Sequence, residues 1–203
     1  MERLDLMTSL VKKGQSVLDI GCIGNPKHHL VEKNRWLFHR LNLVSDDVVG
    51  IDINEKWVGM AHESGYENIV AGDAETYLFD RKFDCITAGE LIEHLPSPGQ
   101  FLLNIKKHIN PQGKLILSTP NIFTITNVYR SLLGLEAKIH KEHTVGFNIQ
   151  MLTYTLERSG FEVVESYYVN EKASDIKNLI VRMLSSLIKT YSGNIVLVAK
   201  IRE

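Results

Sequence analysis

The stretch VLDIGCIGN, residues 17–25, joins a short apolar run to a glycine-containing turn and indicates the class of fold. Its apolar part ends at Ile20, and Gly21 and Gly24 follow within four residues. A short apolar run bounded by glycine is typical of a strand that is buried on both faces of a parallel sheet. Runs of the same kind recur further along the chain, as VVGIDI (48–53), NIVAGD (68–73), FDCITA (83–88) and KLILST (114–119).

Helical patterns separate these runs. The segments HHLVEKNRWLFHRL (28–41), WVGMAHESG (57–65) and GQFLLNIKKHI (99–109) place apolar residues at helical spacing, and Asn25-Pro26 is a favourable helix start. Strands that alternate with helices predict an α/β fold with a doubly wound, Rossmann-like, mostly parallel sheet.

After the fifth predicted strand the pattern changes. Residues 121–150 are rich in Asn, Thr and His and predict a long irregular segment, which a helix over 151–160 follows. The runs FEVVESYYV (161–169) and NIVLVAKI (194–201) predict a C-terminal antiparallel β-hairpin, and IKNLIVRMLSSLIK (176–189) between them has one apolar helical face. We therefore predict a single seven-stranded domain over residues 1–203, with 121–150 and 170–192 as insertions that cap a substrate site.

The composition limits the classes of function. The 203 residues are 44% hydrophobic and 23% charged, which is ordinary for a globular domain. The 23 basic against 24 acidic residues argue against nucleic acid as a partner, because binding to phosphates needs a basic excess. Two cysteines cannot form a disulfide scaffold, the charged first residues are not typical of a signal peptide, and no apolar run is long enough to span a bilayer. We expect a cytoplasmic protein.

Acidic residues close the first three predicted strands, at the edge where a doubly wound sheet binds its ligand. They are Asp19, Asp52 and Asp73. A carboxylate at the end of the first strand would repel a pyrophosphate but attract the cationic amino-acid part of S-adenosylmethionine, which argues against a nicotinamide cofactor. Asp52 suits ribose hydroxyls, because an ionised carboxylate only accepts hydrogen bonds, and Asp73 with Ala74 suits an adenine.

The ordered set VLDIGCIGN, GIDI, AGDAE, FDCITAGELIEHL, GKLILSTPN and EHTVGF…GFEVVES resembles the class I S-adenosylmethionine-dependent methyltransferases over residues 14–201. The resemblance implies a bound S-adenosylmethionine, held by Asp19, Gly21, Cys22, Gly24, Asp52, Ile53, Asp73, Ala74 and Gly89. The turn departs from the family pattern D-x-G-x-G-x-G, because Ile23 and Asn25 stand in the second and third glycine positions. A non-catalytic regulator that binds the cofactor therefore stays an alternative.

A further cluster, Glu90-Leu-Ile-Glu93-His94, follows the fourth predicted strand. On a helix, positions i, i+3 and i+4 share one face, so Glu90, Glu93 and His94 would converge on one point. Two carboxylates and one imidazole suit a divalent ion such as Mg²⁺, Mn²⁺, Fe²⁺ or Zn²⁺. Without a metal, the acids would complement a helix dipole, and His94 could still serve as a general base.

This ExxEH motif, with STPN and a later histidine behind it, is similar to two methyltransferase branches. They are the ubiquinone-pathway O-methyltransferases and the small-RNA 3′-terminal 2′-O-methyltransferases. The resemblance implies Mg²⁺ or Mn²⁺ held by Glu90, Glu93, His94 and His143, with His140 as the second candidate for the last position. It also implies an acceptor with two adjacent hydroxyls, and catalytic roles for His94, Glu90 and His143.

We therefore predict methylation of a hydroxyl on a small molecule, such as a phenol, a sugar or a lipid-linked compound. The 3′ end of an RNA is the alternative acceptor. The basic, amphipathic segment 176–189 is expected to pack on the sheet or on the second copy of a homodimer. Contact with a membrane surface is the other interpretation of this segment.

Overall fold

A computed structural model of the chain describes residues 1–24, 29–30, 32–170 and 188–202. Within these ranges seven strands form one sheet in the order β3-β2-β1-β4-β5-β7-β6. The strands are β1 (Val17–Ile20), β2 (Val48–Asp52), β3 (Ile69–Ala71), β4 (Phe83–Gly89), β5 (Ile109–Pro120), β6 (Phe161–Val169) and β7 (Asn194–Ile201). Strands β1 to β5 are parallel, and β7 runs antiparallel to both of its neighbours. The predicted doubly wound sheet with a C-terminal antiparallel pair is thus confirmed.

Helices cover both faces of the sheet. The core on one face includes residues of α1 (Arg3–Ser9), α2 (Leu37–Asn42) and α3 (Glu55–Glu63), and the core on the other includes residues of α4 (Pro98–Lys106) and α6 (Ile149–Arg158). Successive strand residues alternate between the two cores, since side chains point to opposite faces of a sheet. In β1, for example, Val17 belongs to the first core and Leu18 to the second. No helix in the described ranges is long and apolar enough to cross a bilayer.

Trp36 interrupts the helix that the sequence predicts over residues 28–41. From residue 32 onward the segment is a single 3₁₀ turn at Lys33–Arg35, an extended Trp36 and then α2. The indole ring of Trp36 is buried, packs edge-on to Tyr66 and donates its N–H to the carbonyl of Cys22. Tertiary packing of one large side chain therefore overrides the helical pattern at this point.

Strand β5 begins earlier than predicted. It starts at Ile109 rather than at Lys114, because Ile109 is buried and pairs with Phe83 at the start of β4. The preceding helix α4 accordingly ends at Lys106.

The segment over 121–150, predicted as irregular, contains the short helix α5 (Ile125–Leu132). The side chain of Thr124 caps this helix by accepting a hydrogen bond from the backbone N–H of Asn127. The predicted helix over 176–189 and the predicted helix start at Asn25-Pro26 fall outside the described residues, apart from residues 188–189.

Candidate active site

A cavity of about 890 Å³ opens at the carboxyl ends of β1, β2 and β3. Six of the nine predicted cofactor residues line it, namely Gly21, Gly24, Asp52, Ile53, Asp73 and Ala74. Helix α3 adds Trp57 and Met60, which the sequence analysis did not single out. Both face the cavity because α3 starts only three residues after β2, and an amphipathic pattern alone does not distinguish a cavity wall from the core.

The glycine turn after β1 keeps two left-handed positions in spite of its unusual sequence. Gly21 has a φ of 66° and Gly24 a φ of 58°, a region that side chains with a Cβ rarely adopt. A Cβ on Gly21 would also lie 2.9 Å from Cδ1 of Leu91. Ile23 points into the core, where it is 1% exposed, and Gly24 supplies the glycine geometry one position later.

Asp52 organises this turn from the end of β2. One carboxylate oxygen accepts a hydrogen bond from the backbone N–H of Ile23 at 3.1 Å, and the other accepts one from Asn54 at 3.0 Å. Asp73, at the neighbouring strand end, accepts the backbone N–H of Glu75 at 2.9 Å. Each oxygen has two lone pairs, so both carboxylates can still accept hydrogen bonds from hydroxyl or amino groups in the cavity.

Three predicted cofactor residues, Asp19, Cys22 and Gly89, do not line the cavity. Asp19 is buried, and it accepts a hydrogen bond from the hydroxyl of Thr87 at 2.6 Å. Burial raises the pKa of Asp19 to about 7, against the opposing effect of Thr87. Cys22 is buried as well, and burial raises the pKa of its thiol well above the usual range. Both side chains therefore lie behind the residues that line the cavity.

Arg3 brings a positive charge to the same edge of the sheet, which the sequence analysis missed. Its guanidinium donates to the hydroxyl of Ser118 at 3.2 Å and lies 3.3 Å from a carboxylate oxygen of Glu90. It also packs against Gly89, where a Cβ would lie 3.2 Å from one of its nitrogens. Because Arg3 and Ser118 are 115 positions apart, no local motif could have predicted the contact.

Glu90 does not belong to a helix, contrary to the prediction. It follows the last residue of β4 with a left-handed φ of 52°, and only a 3₁₀ turn, Ile92–His94, comes after it. Its carboxylate lines the large cavity and pairs with Arg3. Glu90 is still close enough for its charge to add to burial in raising the pKa of Glu93, but it is not one of the ligand groups that converge with Glu93 and His94.

Glu93, His94 and His143 do come together. Each offers one ligand atom, and these atoms all lie within 4.8 Å of one another. Glu93 is 1% exposed; one of its oxygens accepts a hydrogen bond from the hydroxyl of Thr119 at 2.9 Å. The other oxygen is buried, has no hydrogen-bond partner among the described residues and lies 4.0 Å from Nε2 of His94. Burial raises the pKa of Glu93 to about 7.

Hydrogen bonds to the backbone of Glu93 hold His143 close to Glu93, although the two residues are fifty positions apart in the sequence. The carbonyl of Glu93 accepts the N–H of Thr144 at 2.8 Å and that of Val145 at 3.3 Å. The rings of His94 and His143 meet edge-on, with centroids 4.7 Å apart. His140 lies further off, at 6.5 Å from His94, and is not one of the converging ligand groups. His143 was therefore the better of the two predicted candidates on geometry.

The hydrogen-bond partner of His94 determines which of its ring nitrogens carries the proton. Nδ1 of His94 lies 3.2 Å from the carbonyl oxygen of Glu142. A carbonyl only accepts hydrogen bonds, so Nδ1 carries the proton and Nε2 of the neutral ring keeps its lone pair. That lone pair lies 4.0 Å from the unpartnered oxygen of Glu93, whose own pKa of about 7 lets it hold or release a proton near neutral pH. Such a pair can take a cation or a hydroxyl proton.

A second cavity, of about 210 Å³, lies on the other side of this cluster. Glu93 and His143 line it together with Lys138, His140 and Asn121. His94 lines the large cavity. The cluster therefore stands between a large cavity at the strand ends and a smaller one under residues 120–146.

Comparison with known proteins identifies the fold family. A family model described as a methyltransferase domain matches residues 2–166. The chain belongs to the methyltransferase family. Its sheet order, with β7 antiparallel between β5 and β6, is that of the class I, S-adenosylmethionine-dependent members, which confirms the family predicted from the motifs.

Curated relatives of the methyltransferase domain include ubiquinone biosynthesis O-methyltransferases. The one from Coxiella burnetii is 32% identical over 115 residues, which make up 54% of this chain and 45% of that protein. The mitochondrial one from Schizosaccharomyces pombe is 29% identical over 123 residues, or 58% of this chain and 44% of that protein. The chain spans less than half the length of these curated relatives.

Solved structures share the fold of the methyltransferase domain over nearly its whole length. A putative methyltransferase from Bacillus halodurans has a TM-score of 0.66 at 18% identity, with 99% of both chains covered. Magnesium protoporphyrin IX methyltransferase from Synechocystis, solved with bound S-adenosylhomocysteine, has a TM-score of 0.63 at 17% identity. This second comparison covers 98% of this chain and 82% of the other. At such identities the likeness concerns the fold alone.

Proposed function

We propose that the methyltransferase domain binds S-adenosylmethionine in the large cavity and transfers its methyl group to a hydroxyl of a small molecule, such as a phenol, a sugar or a lipid-linked compound. The observation that carries the proposal is the Glu93–His94–His143 cluster between the two cavities. Members of the cluster line both cavities, which supports a role for it as proton acceptor in the reaction. The curated relatives, which are O-methyltransferases, support the same reaction type.

The cofactor would lie along the strand ends. Asp52 would accept hydrogen bonds from the ribose hydroxyls, and Asp73 with Ala74 would hold the adenine, since all three line the large cavity. Gly21 and Gly24 would admit the methionine part, because their backbone approaches the cavity without a Cβ. Asp19, Cys22 and Gly89 would support this wall from behind.

His94 would receive the proton of the acceptor hydroxyl at Nε2. As the hydroxyl oxygen attacks, the new O–CH₃ bond forms and the S–CH₃ bond of the sulfonium breaks, leaving neutral S-adenosylhomocysteine. Glu93 next to Nε2 stabilises the imidazolium that results. Burial and then the neighbouring His94 and His140 lower the pKa of His143, which favours its uncharged form, so a second imidazole would face the same point.

A divalent ion fits the same residues. A buried carboxylate oxygen without a partner and two imidazoles are a donor set for such an ion, and Glu93, His94 and His143 would hold it. When bound, a divalent ion lowers the pKa of a hydroxyl that coordinates it. Of the two predicted ions, Mn²⁺ suits imidazole nitrogens better than Mg²⁺, which prefers oxygen. Glu90 pairs with Arg3 and is not among the converging ligand groups, so under this proposal it would take no part in coordination.

Residues 121–150 would cap the acceptor, since Lys138, Ile139 and His140 line the smaller cavity. The corresponding prediction for 170–192 and the membrane contact predicted for 176–189 fall mostly outside the described residues. The homodimer stays a prediction.

Three measurements test cofactor binding, metal binding and methyl transfer separately. Titration calorimetry would first measure binding of S-adenosylhomocysteine, and then Mn²⁺ would be titrated into the loaded protein, for wild type, Glu93→Gln and the matched control Glu90→Gln. We expect stoichiometric Mn²⁺ binding that Glu93→Gln abolishes and Glu90→Gln keeps. Methyl transfer would be assayed on a catechol-type acceptor.

Three outcomes would count against parts of the proposal. Cofactor binding without Mn²⁺ binding would remove the metal and leave His94 as the base. Cofactor binding without transfer to any hydroxyl compound would favour a non-catalytic regulator, the alternative raised by Ile23. Transfer to RNA 3′ ends alone would contradict the small-molecule acceptor.

A further inference from the structure

The side chain of Asn104 is buried on the apolar side of helix α4. It is 2% exposed, and its neighbours on the helix, Phe101, Leu102 and Ile105, are 0–1% exposed. A buried amide is costly unless hydrogen bonds satisfy it, and a leucine would continue the apolar side of α4 without that cost. The amide at this position therefore needs a reason other than the packing of α4.

Both N–H groups of the Asn104 amide point at one turn of the chain after β3, residues 73–77. Nδ2 of Asn104 donates to the carbonyl of Ala74 at 3.1 Å and to that of Tyr77 at 2.9 Å. Because a carbonyl only accepts hydrogen bonds, the amide nitrogen and not the amide oxygen must face the turn. The turn is also closed from within, since the carbonyl of Asp73 accepts the N–H of Tyr77 at 2.7 Å.

Two further contacts hold the same turn in place. The carboxylate of Glu75 accepts the backbone N–H of Ser97, the residue that precedes α4, at 2.8 Å. The ring of Tyr77 packs on Gly72 so closely that an added Cβ would overlap it. The backbone that leaves β3 is therefore attached to α4 at several points, and residues 72–74 of this backbone line the large cavity.

The position of the turn determines which base Asp73 can recognise. Its carboxylate accepts the N–H of Glu75 at 2.9 Å, and an ionised carboxylate offers only acceptors to the cavity. A carboxylate held opposite position 6 of a purine attracts the 6-amino group of adenine and repels the 6-oxo group of hypoxanthine. Hydrogen bonds weaken steeply as distance and angle change, so this preference requires a fixed turn. A turn that is free to move can instead accept the N1–H of hypoxanthine.

We propose that Asn104 is a positioning residue for the cofactor. Its two hydrogen bonds fix the 73–77 turn, and the fixed turn selects adenine over other purines. Asn104 does not line the large cavity, so it acts through Ala74 and Tyr77 alone. The inference rests on the proposed function, because it takes the large cavity as the site of S-adenosylmethionine.

The experiment measures by titration calorimetry the affinities of S-adenosylhomocysteine and of S-inosylhomocysteine, its 6-oxo analogue. Asn104→Leu removes both donors and keeps a side chain of similar size. Glu75→Ala removes the contact with Ser97 from a partly exposed position, and it tests the same turn if Asn104→Leu does not fold. The matched control is Asn68→Leu, because Nδ2 of Asn68 also donates twice, at 2.7 Å and 2.9 Å, but at the opposite end of β3. Thermal denaturation of every variant measures its loss of stability.

We expect wild type to prefer the adenosyl compound at least about tenfold, as a site that recognises an amino group does. In Asn104→Leu the affinity for S-adenosylhomocysteine should fall about tenfold and the preference to about threefold or less. Glu75→Ala should reduce the preference as well. Asn68→Leu should lose stability and keep the preference.

Several results would overturn the inference and leave the proposed function standing. They are equal affinities of wild type for the two compounds, an unchanged preference in Asn104→Leu, and the same loss of preference in Asn68→Leu. If Asn104→Leu does not fold, an unchanged preference in Glu75→Ala overturns it. A wild type that binds neither compound would overturn the proposed function together with the inference.

Discussion

The position of Asp19 in the fold is as predicted, but its side chain does not line the cavity proposed for the cofactor. The sequence places it at the end of β1, and the structure agrees. Its carboxylate points into the domain, where it accepts a hydrogen bond from Thr87, and the glycine turn lines the cavity instead. The direction of a side chain at a strand end depends on the pleat and on partners from distant strands, and neither is visible in a local motif.

The buried Asp19 should make the domain less stable as the pH rises. Its folded pKa of about 7 lies above the ordinary value of 3.8, with burial as the main cause. A raised pKa contributes stability that is complete below the unfolded value and is lost as the pH rises through the folded value. At about 1.4 kcal/mol per pKa unit, ionisation of Asp19 costs up to about 4 kcal/mol.

The measurement is urea denaturation of wild type and Asp19→Asn at about pH 5 and about pH 8. Asparagine can still accept the hydrogen bond of Thr87, so the variant should lose less stability than wild type between the two values. Asp84→Asn is a control without a pH effect in this window, since hydrogen bonds from Ser16 and Asn110 lower the pKa of Asp84 below 3.8 and its contribution to stability is constant between about pH 5 and about pH 8. An Asp19→Asn profile parallel to wild type would contradict the prediction.

At the scale of single elements, the glycine turn after β1 combines a left-handed backbone with a close contact. Gly21→Ala should therefore weaken cofactor binding as well as folding, because the new Cβ would meet Leu91, which lines the large cavity. The control is Gly14→Ala, where φ is 80° but no atom lies within 4 Å of the added Cβ. Both variants should lose about 1–2 kcal/mol of unfolding free energy.

Calorimetry with S-adenosylhomocysteine separates the two effects. We expect a loss of affinity of about tenfold or more for Gly21→Ala, since about 1.4 kcal/mol corresponds to a factor of ten, and no loss for Gly14→Ala. Equal affinities in the two variants would mean that the turn serves folding alone.

Regular elements with strong patterns were predicted well, and irregular ones were not. Strands β6 and β7 agree with prediction residue by residue, because both stretches are rich in β-branched and aromatic residues. The ExxEH motif was expected on a helix, but a left-handed residue, Glu90, precedes a single 3₁₀ turn. The spacing of Glu93 and His94 was still informative, since adjacent residues stay near each other in any backbone. The approach of His143 depends on hydrogen bonds to the carbonyl of Glu93, which leave no trace in side-chain patterns.

At the scale of the whole molecule, Arg3 connects the first helix to the ends of β4 and β5. Its ion pair with Glu90 is largely shielded on the arginine side, where the side chain is 13% exposed. Arg3→Gln should lower the unfolding free energy by about 1–3 kcal/mol, because a partly buried carboxylate loses its charged partner. Arg35→Gln breaks an exposed pair with Glu32 and should cost less than about 0.5 kcal/mol.

Thermal and urea denaturation of the two variants test this difference. A further readout is the pH at which Glu93 and Asp19 titrate, since the charge of Arg3 opposes the raised pKa of both. Their titration should move to higher pH in Arg3→Gln and stay in place in Arg35→Gln. Equal losses of stability in the two variants would show that the contact of Arg3 at the sheet edge contributes nothing of its own.

The two cavities come from stretches of chain that scarcely overlap. The large one is lined by residues between 21 and 95 with the addition of Glu142, and the small one by residues between 120 and 146 with the addition of Glu93. Under the proposed function, the part of the gene that encodes the small cavity can therefore change while the part that encodes the large cavity stays intact. The two parts of the chain depend on each other at few points, namely a histidine near position 143 and two backbone amides that donate to the carbonyl of Glu93. If the cavities serve as proposed, one inherited cofactor site can be combined with a succession of new acceptor sites during evolution.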